Sequence, residues 1–221
     1  MNYNKLSKEK LIEICKEKDT QLKSQNERIA AIEKNIETRT EALERSVYRQ
    51  EQYSRRECVE IVGLPEKFSS HEALESRVVE VFEAAGIDVT PRDFHAIHHL
   101  KNQKVIIAKC VNRRDAIAIL RAKAKLREAD EATKKKLGAR GKIYINESLC
   151  PTCRRLFGVC NALYRKKQLT SSYTLNGSIM VCREEGGEKK AIGHINDLKG
   201  MFEEGVVEKI MDEHAGKSKS T

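Results

Sequence analysis

Cys150 and Cys153 stand with two residues between them, and Cys160 and Cys182 follow. A Cys-x-x-Cys pair is half of a tetrahedral zinc site. The other half, a second such pair or two spaced histidines, is missing, and Cys153 and Cys160 lie seven apart as core cysteines on a helix would. His95, His98 and His99 fall on one short stretch, with His95 and His99 on one face of a strand. Two imidazoles without a carboxylate or thiolate nearby are weak ligands. Gly138-Ala139-Arg140-Gly141-Lys142 has the Gly-Lys step of a phosphate loop, but Ile143 stands where Ser or Thr is needed. No G-x-S-x-G or H-E-x-x-H occurs, and no carboxylate cluster suits a metal-dependent polymerase or nuclease. The expectation is a protein with no catalytic site, no cofactor and no metal.

The remaining chemistry is cationic. The chain of 221 residues carries a formal net charge of +9. From Arg121 to Lys142 there are nine basic and three acidic residues; from Cys150 to Leu169 there are five basic and none acidic. Through Glu57 the balance is nearly even, thirteen against eleven. The excess therefore sits outside the N-terminal part. Basic stretches of this kind release counterions from a polyanion and bind it in a salt-dependent way. Adjacent guanidiniums such as Arg154 and Arg155 suit bidentate contacts to phosphate. No apolar run reaches the length of a membrane span, and the first residues lack the apolar core of an export signal. Seven scattered cysteines then predict free thiols in a reducing compartment.

Three parts must position these groups. Residues 1–56 contain no Gly or Pro and repeat every seven residues. Cys15, Leu22, Ile29, Ile36 and Leu43 fall at heptad position a; Leu11, Ile32 and Tyr53 fall at d, with polar Lys18, Gln25, Arg39 and Ser46 between them. A period of seven predicts a left-handed coiled coil. Arg28-Ile29-Ala30-Ala31-Ile32-Glu33 places Arg at g, Ile at a and d, and Glu at e. That arrangement lets Arg28 cross to Glu33 of a neighbouring helix over an Ile layer, and it predicts a homotrimer. Residues 57–149 predict the order β-α-β-β-α-β. The strands are 58–63, 94–100, 105–111 and 142–147; Ser70 and Asn112 are the helix caps, and Lys104 and Lys109 stand near the ends of the third strand. Residues 150–205 predict a helix from Pro151 with a stripe reaching Leu169. Strands follow within 172–182 and 191–195, then a last helix capped by Asn196. Residues 206–221 read as a frayed basic tail. The fold class is α+β.

The segment Glu51-Gln52-Tyr53-Ser54-Arg55-Arg56-Glu57-Cys58-Val59-Glu60-Ile61-Val62-Gly63-Leu64-Pro65 carries a resemblance, and so does Lys142-Ile143-Tyr144-Ile145-Asn146-Glu147-Ser148-Leu149-Cys150-Pro151. Both resemble the first-reading-frame proteins of LINE-type non-LTR retrotransposons of invertebrates. Baculovirus few-polyhedra proteins look similar as well. The layout agrees: trimeric coiled coil, non-standard RNA-recognition domain, small C-terminal domain, to about Phe202. The resemblance implies a non-enzymatic chaperone of single-stranded RNA and DNA. It would coat its own transcript as trimers in a cytoplasmic ribonucleoprotein that also reaches the nucleus, with the element's reverse transcriptase as a further partner. It also implies nucleic-acid contacts at Arg55 and Arg56 before the first strand, Lys104 and Lys109 on the third, and Arg154 and Arg155 early in the C-terminal helix. Tyr173 would stack on a base. Two departures stand out. The first and third strands have no aromatics, and the loop between strands two and three is shortened to Lys101-Asn102-Gln103-Lys104. Binding would then rest on the backbone with little sequence choice. The alternative is a coiled-coil structural or adaptor protein whose charge serves solubility or protein partners.

Overall fold

The computed structural model describes residues 7–100, 104–139 and 141–218. Loop residues 101–103 and Arg140 of the Gly-Lys stretch lie outside them. The chain is mixed α+β, with a long N-terminal helix and two antiparallel sheets. It divides into two compact units, the first ending at Val47 and the second beginning at Tyr48.

The first unit is helix α1, Lys8–Ser54, whose last two turns belong to the second unit. The absence of Gly and Pro permits an unbroken run of 47 residues. Leu22, Ile29, Ile32, Ile36 and Leu43 are each at least half exposed. This regular line of bare aliphatic side chains has no partner among the described residues. Arg28 and Glu33 beside it are exposed and form no ion pair among the described residues.

In the second unit, β1 (Cys58–Val62), β2 (Phe94–His99), β3 (Val105–Cys110) and β4 (Tyr144–Glu147) form a sheet in the order β2-β3-β1-β4. Helices α2 (His71–Ala84) and α3 (Arg113–Arg127) cover one face. Alternation decides which residues enter the core. Val59 and Ile61, Ile106 and Ala108, Ile143 and Ile145 point to the helices, where Leu74, Val78, Phe82, Ala116 and Ile119 meet them. Phe82 stacks on Phe94 with centroids 5.6 Å apart. Ser70 caps α2 as expected, accepting from the Ala73 N–H at 3.2 Å. Asn112 precedes α3 but makes no side-chain cap, so the expected cap there is absent. Gly63 turns the chain after β1 with φ +105°; a methyl there would lie 2.5 Å from the Lys142 carbonyl oxygen. A short helix α4, Glu131–Lys136, fills the charged stretch.

Helix α5, Pro151–Arg165, packs on a second sheet of β5 (Ser171–Leu175), β6 (Ser178–Cys182) and β7 (Lys190–Ile192). Its stripe stops short of Leu169 because Lys167 takes a left-handed φ of 59° and closes the helix. The run expected as strand from 172 to 182 is a hairpin. Asn176 and Gly177, both at positive φ, form its two-residue turn. Helix α6 (Ile195–Lys199) is capped by His194 instead of Asn196, with Nδ1 accepting from the Asn196 N–H. The expected tail is helix α7, Val206–Ser218, whose Val207 and Ile210 are buried with Leu156, Leu163 and Val181 in the second core. Val206 packs beside them, and the Lys166–Glu213 and Lys199–Glu208 pairs tie α7 to α5 and α6.

Candidate nucleic-acid interface

The junction of the two sheets is organised by Gln52. Its side chain is buried in the last turn of α1. Nε2 donates to the Ser148 carbonyl at 2.9 Å, and Oε1 accepts from the Cys150 N–H at 3.0 Å. Both backbone groups of the linker are thereby satisfied, a requirement for burying an irregular segment. Glu147, ending β4, accepts from the N–H groups of Asn176 and Gly177 at 2.7 and 2.8 Å. A carboxylate thus holds the β5–β6 turn. Gly177 admits this approach because a Cβ would sit 2.9 Å from the Gln52 Cγ.

These ties leave a narrow cleft of about 20 Å³ lined by Arg55, Arg56 and Cys58, by Arg113, Ile117 and Leu120 of α3, and by Ser148 and the β5–β6 turn. Three guanidiniums line one cavity, and its single carboxylate, Glu147, is already engaged by the turn. Arg56 lies over the Tyr53 ring at 4.8 Å, yet its Nε is buried without a partner among the described residues. The Ser148 Oγ is likewise buried without one, on a residue only 1% exposed. Buried donors are nearly always satisfied, so two orphans, one of them on a cation flanked by Arg55 and Arg113, mark a place where an acceptor oxygen can enter. Arg113 opens α3, whose N-terminus has no side-chain cap. A cation there opposes the helix dipole, and Asp115 is the one acid of the first turn.

The structure brings together only some of the expected residues. Arg55 and Arg56 line the cleft, and Lys109 stands directly across β1 from Cys58. Burial pushes the Cys58 thiol up, with Lys109 and Arg55 opposing the shift. Lys104 sits just before β3, five residues and about 17 Å along the chain from Lys109. Arg154 has a different assignment. Its Nη2 pairs with Glu60, which is 5% exposed at the centre of the open sheet face, and also reaches the Leu149 carbonyl. Glu60 faces Ile107 across the sheet, so the two central positions hold a capped carboxylate and a buried aliphatic. An RNA-recognition sheet stacks bases at such central positions on aromatic rings. Arg155, next to Arg154, is exposed. Tyr173 faces Met180 on the side of the second sheet away from α5, with the Lys189 ammonium 5.9 Å from its ring. That half-buried ring is not among the residues lining the arginine cleft.

The Cys150/Cys153 spacing has a local cause. Cys150 is the N-cap of α5, and its Sγ accepts from the Cys153 N–H at 3.4 Å. Burial pushes the Cys153 and Cys160 thiols up to about 12, as suits unreactive packing cysteines. Among the described residues no group of three or more His, Cys, Asp or Glu could hold a metal ion.

Arg113, Gln52 and Ser148 were not singled out by sequence. The one available signal was a pair of arginines at a helix N-terminus, where charge complementarity prefers acids. No protein-family model matches the chain, and no curated protein matches it.

Proposed function

We propose that this chain is a non-enzymatic, single-stranded nucleic-acid-binding protein that anchors phosphate in the cleft between Arg55, Arg56 and Arg113. The observation that carries this reading is the pair of buried, unpartnered donors, Arg56 Nε and Ser148 Oγ, in an arginine-lined cavity. The strand order β2-β3-β1-β4 supports an RNA-recognition-like assignment for residues 57–149. Together with the resemblance in the segments around Gly63 and Ile145, it favours the group of retrotransposon first-reading-frame proteins, which coat element RNA and act as chaperones. With no aromatics on β1 and β3 and a blocked sheet centre, the reading is of phosphate recognition with little base choice.

Titration of a labelled unstructured RNA by fluorescence anisotropy at several salt concentrations tests this. A linear fall of log affinity with log salt is expected, with similar affinities for unrelated sequences. Absence of binding at low salt overturns the reading in favour of a structural adaptor.

The exposed stripe of α1 supports a homotrimer within the same proposal. Ile29→Asp with Ile32→Asp places charges in adjacent seam layers and is expected to give a monomer by light scattering at micromolar concentration. A trimer that survives both changes locates the seam elsewhere.

A further inference from the structure

We propose that the bound strand leaves the cleft across the outward face of α3, held by Arg114, Arg121 and Lys125, instead of crossing the four-stranded sheet. The inference rests on the nucleic-acid reading above and adds the path of the strand to it.

Helix α3 presents three stripes. Ala116, Ile119 and Leu126 are fully buried in the core. Arg113, Ile117 and Leu120, spaced i, i+4 and i+7, line the cleft. Arg114, Arg121 and Lys125, spaced i, i+7 and i+11, share a third face adjoining the cleft wall, and all three are exposed. Ala118 lies between the first two, leaving room for an approaching backbone. The three charges span about 16 Å of helix at about 1.5 Å per residue. Glu128 ends the stripe.

Arg114 and Arg121 form no ion pair or hydrogen bond among the described residues, whereas the Lys125 ammonium lies beside Gly86, just past the C-terminus of α2. Arg77, Arg154, Lys134, Lys166 and Lys199 each have a carboxylate partner. Unpaired like charges at i and i+4, such as Arg121 and Lys125, weaken a helix by a few tenths of a kcal/mol. The α2 C-terminus offers Lys125 a structural role, but helix stability does not account for Arg114 and Arg121, whereas a chain of phosphates turns the repulsion of the stripe into attraction. The competing route across the sheet meets the Glu60–Arg154 pair at its centre. The stripe has no large apolar or aromatic side chain to enter a lipid surface, which favours nucleic acid over a membrane.

The test uses the full chain with Arg114→Gln, Arg121→Gln and Lys125→Gln combined, alongside Arg114→Lys with Arg121→Lys. Salt titrations are made with a labelled RNA long enough to pass beyond the cleft and with a short oligonucleotide that reaches only the arginines at its mouth. For the long RNA, the Gln variant is expected to show a log–log salt slope shallower by about 2, three contacts at about 0.7 each. Between 1 M and 0.1 M salt that slope difference amounts to roughly a hundredfold loss of affinity. The short oligonucleotide should bind both proteins alike, and the Lys variant should keep the full slope. An unchanged slope with long RNA, while the unaltered protein binds normally, overturns the path and leaves the cleft standing. No RNA binding by the unaltered protein removes the cleft reading and the path together. Normal RNA binding by the Gln variant with lost binding to anionic lipid vesicles assigns the stripe to a membrane and overturns the proposal.

Discussion

Changing Arg55, Arg56 and Arg113 together to Gln is expected to lower RNA affinity by about a thousandfold at 0.1 M salt while leaving the fold intact. The slope loss for three phosphate contacts is again about 2, which alone supplies two decades at that salt. Lost charge-assisted hydrogen bonds, worth about 1.5–3 kcal/mol each, supply at least another. Stability should change by under about 1 kcal/mol. Among the described residues only Arg56 has a side-chain contact to lose, its stacking on the solvent-exposed Tyr53 ring, and a cation–π pair with an exposed ring contributes about 0.5–1 kcal/mol. Removing three neighbouring like charges offsets part of that. Anisotropy gives the affinity and a thermal melt gives the control. A variant that melts normally and binds RNA as tightly as the unaltered chain eliminates the cleft as the phosphate site.

Arg154→Ala should act mainly on stability. The substitution leaves the Glu60 carboxylate buried on the sheet with no cation beside it. Breaking a fully buried pair costs about 3–5 kcal/mol. The Arg154 side chain is 49% exposed, so water screens part of the interaction, and about 2–3 kcal/mol is the expected loss. For a unit of this size that lowers Tm by roughly 5–10 °C. Adding Glu60→Gln removes the stranded charge and should recover most of the loss, giving a coupling energy in a double-mutant cycle. If Arg154→Ala melts like the unaltered protein but flattens the salt slope, its role is phosphate binding and the pairing with Glu60 is incidental. Arg155→Ala is the cleaner probe of phosphate contact on α5, because that side chain is exposed and forms no ion pair among the described residues.

The local elements were legible wherever one periodicity ran unbroken. The alternation in β1 and β3, the Ser70 cap and the stripe of α2 are each decided by neighbours within a few residues, and the structure places them within a residue or two. The β5–β6 turn was hidden because Ser172 to Cys182 reads as one mixed run unless Asn176-Gly177 is given priority. Helix α7 was hidden because two buried residues, Val207 and Ile210, offer too short a pattern against charged surroundings. The site was legible only in part. Arg55 and Arg56 stand beside a recognisable strand. Arg113 and Ser148 meet them through tertiary packing of segments tens of residues apart, which no local spacing encodes. Glu60 shows the same limit: a charge at a mid-strand position predicts a solvent-facing side chain, and only the arrival of α5 makes it a buried one needing Arg154.

Gln52 also determines how the protein can be dissected. Composition places the end of the helical part near residue 56, so a natural fragment to prepare would begin at residue 57. Such a fragment lacks the amide that fastens the 148–150 linker and two of the three cleft arginines. It would retain both cores, report normal secondary structure, and yet bind RNA feebly, inviting the mistaken conclusion that trimer avidity supplies the affinity. A fragment starting at Tyr48 keeps the fastening and both arginines. Comparing the two fragments with the full chain separates the grip of the cleft itself from the gain that the proposed self-association through α1 would add.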